Sequence, residues 1–398
     1  MNKARIAATA ALFAVGCSAS PTSGDTPSSS SPSPTPALSP TPTPTAAMEP
    51  TSADSGGACL VKASAMSLDD QVGQLYMMAV QTGTPVDTAV ASVKESRPGA
   101  VILLGNWTLP IAEVNAYTEQ LRAGSDQPLL IGVDQEGGLV QRLQGTGFEK
   151  IPAASAQTTM DAAALRTAWA GWGAQLTQAG VDWDLAPVAD VVPAANESAN
   201  EPVAQLGRGY GSDPDHVSSQ VSAVVNGLAD AKVASSVKHF PGLGQVRQNT
   251  DLAVAHDAVS TLSPEELAPF QAAVDAGASS VMVSSAIYDN VDAANPAVFS
   301  QTVVTGILRE RMGFEGLVVS DDLGVAAAVA EYPIDQRGNL FLEAGGDLVI
   351  VADPAATQQM IDGTLAKARA DKTFADSLAP KVARVLELKQ SRGMLSCG

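Results

Sequence analysis

The sequence predicts a (β/α)8 barrel, and three observations support this class of fold. Eight short apolar runs recur along the chain, each bounded by glycine or a polar residue. Their hydrophobicity is continuous rather than alternating, which is typical of strands buried on both faces of a parallel sheet. A loop and a helical segment follow each run. Eight such units favour a closed barrel in a single domain. A doubly wound open sheet is the alternative, because periodicity alone does not establish closure.

The predicted strands are runs of four to eight mostly aliphatic residues. In chain order they are LYMMAV (75–80), AVILL (100–104), LLIGV (129–133), VDWDLAPV (181–188), VASSV (233–237), SVMVSS (280–285), LVVS (317–320) and LVIV (348–351).

The helical segment after the fifth strand carries the clearest start and stop signals. Ser263 is its predicted N-cap, Pro264 takes the first helical position, and Glu266 completes a capping box. We expect this helix to end at Gly277. Further helices are predicted at 161–180, 214–231, 301–312, 336–345 and 357–370.

The first 57 residues are not expected to belong to the folded domain. Residues 1–17 combine a basic start with a short apolar stretch, which is typical of a signal peptide. Their last four residues resemble a bacterial lipobox in which Cys17 is lipidated, although Ala14 replaces the usual leucine. Residues 18–57 are almost entirely Ser, Pro, Thr, Ala and Gly and are predicted to form an extended tether. Residues 58–398 then form the folded domain, anchored by lipid on the outer face of the cytoplasmic membrane or else secreted.

Composition restricts the partners of this domain. Beyond the predicted signal peptide, the remaining cysteines are Cys59 and Cys397, and in an exported protein such a pair predicts a disulfide; two unpaired thiols are the alternative. The net charge of −19 repels the phosphates of nucleic acids and of anionic lipid headgroups. We therefore expect no nucleic-acid partner, contact with the membrane only through the lipid anchor, and a monomer.

In a closed barrel, polar residues that directly follow the strands collect at the C-terminal rim, where such folds place their sites. Carboxylates dominate this set, which consists of Asn106, Asp134, Glu136, Asp190, Lys238, His239, Ser284, Asp321, Asp322 and Asp353. The three histidines form no ligand pair, so we expect neither a catalytic metal nor another cofactor. Because motifs of serine hydrolases and nucleotide-binding proteins are missing, two carboxylates acting across a glycosidic bond remain.

Six segments of the chain resemble the family 3 glycoside hydrolases, specifically their single-domain β-N-acetylhexosaminidase branch. They stand in family order over roughly residues 68–388. The segments are GVDQEGGLVQRL (132–143), DLAPVADV (184–191), LGRGYGSDP (206–214), KHFPGLG (238–244), GFEGLVVSDDLG (313–324) and EAGGDLVI (343–350). Six motifs in order make the resemblance highly specific, and it implies a (β/α)8 catalytic domain.

The resemblance also implies roles for individual residues. Asp321 matches the nucleophile of the family, and Asp322 is its neighbour. The positions that hold the sugar in the family are Asp134, Arg142, Arg208, Lys238 and His239. The chemistry of these residues agrees, because a carboxylate accepts hydrogen bonds from sugar hydroxyls and cations donate to hydroxyl and acyl oxygens.

Structural roles remain possible for some of these residues. Arg142 and Arg208 could bridge barrel loops instead of binding sugar, and His239 could be a rim histidine with its hydrogen bonds satisfied. We interpret Glu136 as structural, accepting the amides of the Gly-Gly turn that follows it. One departure from the family is Gly209, which separates Arg208 from the aromatic residue of that motif.

The main departure concerns the proton donor. Where the hexosaminidase branch has Asp-Ser-His, this chain has Asn249, Thr250 and Asp251, and Leu243 replaces the histidine of the PGHG motif. Asp251 can take the role of acid/base itself, since two neighbouring carboxylates resist double ionisation and the pKa of one rises. Alternatively, His256 or another loop residue supplies the proton, or the loop is impaired and the protein is a glycan-binding lipoprotein without turnover.

These observations predict a retaining exo-β-glycosidase that works by double displacement without a cofactor. The resemblance implies terminal β-N-acetylglucosaminides as substrates, for example in peptidoglycan turnover. A β-glucoside as substrate, or phosphate instead of water as acceptor, is the alternative that the altered loop leaves open.

Overall fold

Eight parallel strands form a closed barrel in this computed structural model, which describes residues 55–398. Each strand pairs with the barrel strands before and after it in the sequence, and the eighth pairs with the first. The predicted barrel is therefore confirmed, and the open sheet is excluded. The predicted signal peptide, the lipidation site Cys17 and nearly all of the predicted tether lie in residues 1–54, outside the described part.

The barrel strands lie where the sequence predicts them, but the fourth, fifth and seventh differ at the rim, the seventh because it continues through Asp321 and Asp322. They are Tyr76–Gln81, Ala100–Leu104, Leu130–Val133, Trp183–Asp184, Ala234–Phe240, Ser280–Val283, Leu317–Asp322 and Leu348–Val351. The fourth strand is shorter than predicted because Pro187 has no amide hydrogen to donate to the sheet. Pairing resumes at an isolated bridge between Val188 and Lys238. The fifth strand is longer than predicted, so Lys238 and His239 lie within it rather than after it.

One helix follows each barrel strand and covers the outside of the sheet. These helices are Val86–Ser96, Ile111–Ala123, Ala162–Gln178, Pro214–Asp230, Ala268–Asp275, Thr302–Arg311, Ile334–Ala344 and Pro354–Ala370. Shorter or terminal helices are Ser55–Ser64, Leu68–Gln74, Ala154–Gln157, Lys372–Asp376 and Leu378–Ser391. No helix of the described residues is long and apolar enough to cross a membrane.

The predicted capping box after the fifth strand is present, but the helix begins later than expected. The amide of Ser263 donates to Glu266 Oε2 (2.7 Å), and the amide of Glu266 donates to Ser263 Oγ (3.3 Å). The amide of Ala268 then bonds to the carbonyl of Glu265, three residues earlier, which is the pattern of a tight turn. This turn precedes the α-helix Ala268–Asp275, and Gly277 follows with a positive φ of 85°, where glycine is favoured.

Hydrogen bonding and packing across the interior close the lower part of the barrel. Trp183 Nε1 donates to Ser280 Oγ (3.2 Å), and both residues are fully buried. Because the fourth and sixth strands are not neighbours, this bond crosses the barrel. Gly132 is in contact with Met77 across the second strand, since a Cβ at that glycine would lie 3.0 Å from the methionine methyl. The barrel can therefore admit a ligand only above this layer.

The two ends of the described chain are joined covalently. Cys59 and Cys397 form a disulfide with a Cα–Cα distance of 4.9 Å. The helix Ser55–Ser64 packs against the C-terminal helix Leu378–Ser391. Because the first of these helices begins at Ser55, residues 55–57 belong to the folded domain rather than to the predicted tether.

Replacing both Cys59 and Cys397 by serine is expected to lower the free energy of unfolding by about 2–5 kcal/mol, because the disulfide restricts the unfolded chain over a very long loop. Urea denaturation of the variant and of wild type measures the difference. Wild type reduced with dithiothreitol is the control and should unfold at the same urea concentration as the variant. Equal midpoints for the variant and oxidised wild type would contradict this expectation.

Candidate active site

A cavity of ≈ 520 Å³ opens at the C-terminal ends of the barrel strands. Its volume lies in the range of about 300–1,000 Å³ that is usual for small-molecule sites. Ile102, Met282 and Ile350 line it together with the polar residues of the rim. All the residues that the sequence assigns to catalysis or sugar binding line this cavity, namely Asp134, Arg142, Arg208, Lys238, His239, Asp251 and Asp321.

Buried Glu136 is the centre of a cluster of charges beside the cavity. Arg208 binds it with two hydrogen bonds of 2.9 and 2.7 Å, and Lys238 Nζ lies 2.7 Å from its Oε1. Lys238 Nζ also donates to Asp134 Oδ1 at 2.6 Å. Burial raises the pKa of Glu136, but the charges of Arg208 and Lys238 outweigh burial and hold the pKa well below its usual range. Glu136 is therefore ionised at neutral pH.

The sequence predicts the wrong hydrogen-bond partners for Glu136. The turn that follows it does not need its carboxylate, because the amide of Gly138 donates to the carbonyl of Ile151 instead (3.0 Å). Glu136 is structural, but it acts by neutralising two cations. No sequence signal marks this role, because Arg208 is distant in the chain from Glu136.

His239 is held between Asp190 and Arg208. Its Nδ1 lies 2.8 Å from Asp190 Oδ2, and its Nε2 lies 3.1 Å from Arg208 Nη2. Because arginine can only donate, this contact is a hydrogen bond only when Nε2 is unprotonated, and Nδ1 then carries the proton and donates it to Asp190. Asp190 also accepts the amide of Leu243 at 2.7 Å, so this carboxylate orients the imidazole and the loop after the fifth strand.

The two cavity arginines differ in their contacts. Arg208 bridges loops, since it binds Glu136 and also donates to the carbonyl of Pro202 (2.9 Å). The bridging role considered from sequence therefore applies to Arg208, which lines the cavity as well. The buried Nε of Arg142 has no hydrogen-bond partner within residues 55–398. An unpaired buried donor at a cavity wall is suited to a ligand oxygen.

Asp321 and Asp322 end the seventh strand and have different environments. Burial raises the pKa of Asp321 to about 6; His239 opposes this rise, and the negative charge of Asp251 adds to it. One oxygen of Asp321 accepts the amide of Asp322 (2.8 Å). Asp322 instead accepts several amides of the following loop, including that of Gly324 at 2.8 Å, and thereby anchors the loop. Asp321 is therefore the carboxylate at this strand end that is placed to react.

Asp251 is exposed at the mouth of the cavity, and backbone hydrogen bonds hold its loop beside the seventh strand. The amide of Ala327 donates to the carbonyl of Asp251 (3.2 Å), and the amide of Ala328 donates to that of Thr250 (3.1 Å). Asn249 Oδ1 accepts the amide of Asp251 (3.0 Å). These bonds bring the exposed Asp251 to the part of the rim that carries Asp321.

His256 lies elsewhere. Its Nδ1 is 2.8 Å from Asp289 Oδ1, and its side chain is half exposed in a small sheet outside the cavity.

Some predicted rim residues also lie outside the cavity lining. Asp353 caps the helix Pro354–Ala370 by accepting the amide of Ala355, and Ser284 Oγ is within hydrogen-bond distance of the Tyr288 hydroxyl. Residues that follow a strand are thus used for helix capping as well as for the site.

Asp184, whose role is not predicted from the sequence, is a fully buried carboxyl beneath the rim. Its Oδ1 accepts the amide of Gln135 (3.0 Å), while its Oδ2 has no partner among the described residues. Burial raises the pKa of Asp184 to about 8, with smaller opposing contributions from its neighbours. Its hydrogen bond fixes the backbone between Asp134 and Glu136, so Asp184 supports the cluster while remaining protonated at neutral pH.

Two other features do not suggest a second site. Within residues 55–398, no group of three or more His, Cys, Asp or Glu side chains is arranged to hold a metal ion. A larger groove of ≈ 690 Å³ is lined by parts of 292–302, 340–345 and 371–381. Because none of the predicted site residues borders that groove, we assign the chemistry to the smaller cavity at the strand ends.

Replacing Asp184 by asparagine is expected to remove a pH dependence of stability. Between pH 4 and 8 the native state retains the Asp184 proton that the unfolded chain releases. As the pH rises through this range, the free energy of unfolding of wild type therefore falls relative to that of the variant, by up to about 1.4 kcal/mol per pH unit. Urea denaturation at pH 5 and pH 7.5 measures this difference. The exposed Asp126→Asn is the matched control and should show the wild-type dependence. A difference between wild type and Asp184→Asn that does not vary with pH would refute the explanation.

Comparison with known proteins agrees with this site. Residues 67–388 match the family described as the glycosyl hydrolase family 3 N terminal domain. A β-hexosaminidase of Xylella fastidiosa is 37% identical over 257 residues, which are 61% of this chain and 72% of the relative. The crystal structure of a β-N-acetylhexosaminidase from Beutenbergia cavernae has a TM-score of 0.80 and 38% identity, covering 82% of this chain and 99% of that one. The chain belongs to glycosyl hydrolase family 3.

Proposed function

We propose that this glycoside hydrolase is a retaining exo-β-N-acetylhexosaminidase that hydrolyses terminal β-N-acetylglucosaminides by double displacement without a cofactor. The observation that carries this proposal is the position of Asp321, which shares one cavity with the residues matched to sugar binding. The relatives that are named β-hexosaminidases support an amino sugar as the substrate.

In the first step, ionised Asp321 attacks the anomeric carbon, and the bond from that carbon to the glycosidic oxygen breaks. Asp251 gives its proton to the departing oxygen, so that the aglycone leaves as a neutral alcohol. In the second step, Asp251 takes a proton from water, and the resulting hydroxyl attacks the anomeric carbon. The ester to Asp321 then breaks, and both carboxyl groups return to their starting states.

The cluster around Glu136 holds the sugar for this attack. Asp134 accepts hydrogen bonds from the hydroxyls, and Lys238 keeps the orientation of Asp134 fixed through their 2.6 Å contact. Arg142 Nε, which lacks a partner within residues 55–398, donates to an oxygen of the sugar or of its acyl group. Because these groups are fixed before the substrate enters, little binding energy is lost in ordering them.

Water is the acceptor that the charges favour. Asp251, Asp321 and Asp322 all line the cavity. The cations Arg208 and Lys238 form their salt bridges with Glu136 and Asp134 rather than with these three carboxylates. A phosphate dianion approaching the anomeric carbon beside Asp251 would meet the negative charges of Asp251, Asp321 and Asp322. We therefore propose hydrolysis instead of phosphorolysis.

The cellular setting is proposed from sequence alone. The lipobox-like segment that ends at Cys17 supports a lipid-anchored protein on the outer face of the cytoplasmic membrane, with residues 18–57 as the tether. Terminal β-N-acetylglucosaminides at the cell surface would be accessible to such a protein.

A mechanism-based label tests the proposed function. A 5-fluoro-β-N-acetylglucosaminyl fluoride retains the acetamido group and slows the second step, so we expect stable labelling of the peptide that contains Asp321. Mass spectrometry of the digested protein identifies this peptide, and Asp321→Asn should remain unlabelled. Tight sugar binding with no label, and with no release of a chromogenic β-N-acetylglucosaminide, would instead indicate a glycan-binding protein without turnover.

Replacing Asp251 by asparagine is expected to reduce kcat/KM for alkyl glycosides by about 10²- to 10⁴-fold, because their leaving group requires a proton. Activated aryl glycosides, which need little protonation, should lose less.

The acid limb of the wild-type pH–activity profile should follow the Asp321 pKa of about 6, with activity falling below it as the nucleophile is protonated. In the variant this limb should shift to lower pH, because a negative charge that raises the pKa of Asp321 is gone.

His256→Ala is the control for this experiment and also tests the alternative proton donor. Because His256 lies outside the cavity and pairs with Asp289, we expect this variant to keep wild-type kinetics. Wild-type activity of Asp251→Asn on alkyl glycosides, with loss in His256→Ala, would reverse our assignment.

A further inference from the structure

Exposed aliphatic side chains stand at the mouth of the cavity. Leu252 and Val325 line it, although 77% and 64% of these residues are exposed. Leu139, which is 70% exposed, directly precedes Val140, and Val140 also lines the cavity. Single exposed apolar residues are ordinary on a protein surface, but two that line one opening can contact an apolar group of a ligand.

Leu252 and Val325 lie on the side of the cavity where the aglycone leaves. Leu252 directly follows Asp251, the proposed proton donor to the glycosidic oxygen. Val325 is in the loop that Asp322 anchors, since the amide of Val325 donates to Asp322 Oδ2 (2.8 Å). The backbone bond between Ala327 and Asp251 joins the two segments. A group attached to the departing oxygen would therefore lie on the side of the cavity that carries these two residues.

The rest of the cavity wall indicates which kind of aglycone fits. Among the described residues that line it, none is Trp, Tyr or Phe, so a second sugar ring has no flat aromatic surface to pack against. The apolar contacts available on this side are the aliphatic groups of Leu252 and Val325. The carboxylates Asp251, Asp321 and Asp322 also face the opening, and they disfavour an aglycone that carries negative charge.

We propose that Leu252 and Val325 form a binding site for an uncharged aglycone that carries an apolar substituent, such as a short alkyl chain, close to the glycosidic oxygen. This inference rests on the proposed function, because it concerns the group that Asp251 protonates. It narrows the substrate to β-N-acetylglucosaminides whose leaving group has an aliphatic part, and it assigns specificity to two residues outside the sugar-holding cluster.

Binding of alkyl 1-thio-β-N-acetylglucosaminides tests this site without turnover, because the sulfur link resists cleavage. Titration calorimetry of wild type should give a Kd about tenfold lower for the butyl than for the methyl compound, since full burial would give up to about fourfold per methylene and these side chains lie at an open mouth. A 3-carboxypropyl compound, with a negative end of similar length, should bind more weakly than butyl.

Leu252→Asn and Val325→Thr should each flatten the dependence of Kd on chain length. Val259→Thr is the matched control, because Val259 is 61% exposed but lies outside the cavity lining, and it should keep the wild-type dependence. A Kd independent of chain length in wild type, with aryl glycosides still hydrolysed, would overturn this inference and leave the proposed function intact. If no thioglycoside binds and no aryl glycoside is hydrolysed, both fail.

Discussion

The pairing of buried Glu136 with two cations is the interaction on which the active site depends. A buried charge is tolerated only when it is paired and hydrogen-bonded, and removing one partner typically costs about 3–5 kcal/mol. Arg208 and Lys238 reach Glu136 from the loop after the fourth strand and from the fifth strand itself. The cluster therefore fixes three neighbouring parts of the rim relative to one another, and Asp134 and His239 take their positions from it.

Neutralisation within this cluster also sets the electrostatics of the opposite wall. The charge of Lys238 is shared by Asp134 and Glu136, and that of Arg208 is used by Glu136, so neither cation is free to pair with Asp321. Burial and a second carboxylate then raise the pKa of Asp321 to about 6. The nucleophile remains ionised at neutral pH, but it is not deeply stabilised, which suits a group that must give up its charge to the sugar.

The sequence predicts most of the fold, because strands buried on both faces leave continuous apolar runs that match seven of the eight observed strands closely. The fourth strand is the main exception, since a run through Pro187 keeps its hydrophobicity but forms a regular strand only at Trp183–Asp184. The sequence motifs also identify the residues that line the cavity. The roles of Glu136 and Asp184 are not predictable, because they arise from contacts with residues distant in the chain, and single-sequence patterns carry no signal for such contacts.

This chain has two carboxylates, Asp251 and Asp321, where the resemblance implies a histidine and a carboxylate. This difference changes which group carries the proton before the reaction. Double displacement needs Asp321 ionised and Asp251 protonated, yet in the free protein Asp321 is the buried member and Asp251 the exposed one. Burial favours the neutral form of Asp321, whereas the proposed mechanism needs this carboxyl ionised. An aglycone that covers the mouth at Leu252 removes water from Asp251, and positive charge developing on the sugar favours ionised Asp321. If Leu252 binds the aglycone as proposed, the same contact helps to place the proton where the proposed mechanism requires it.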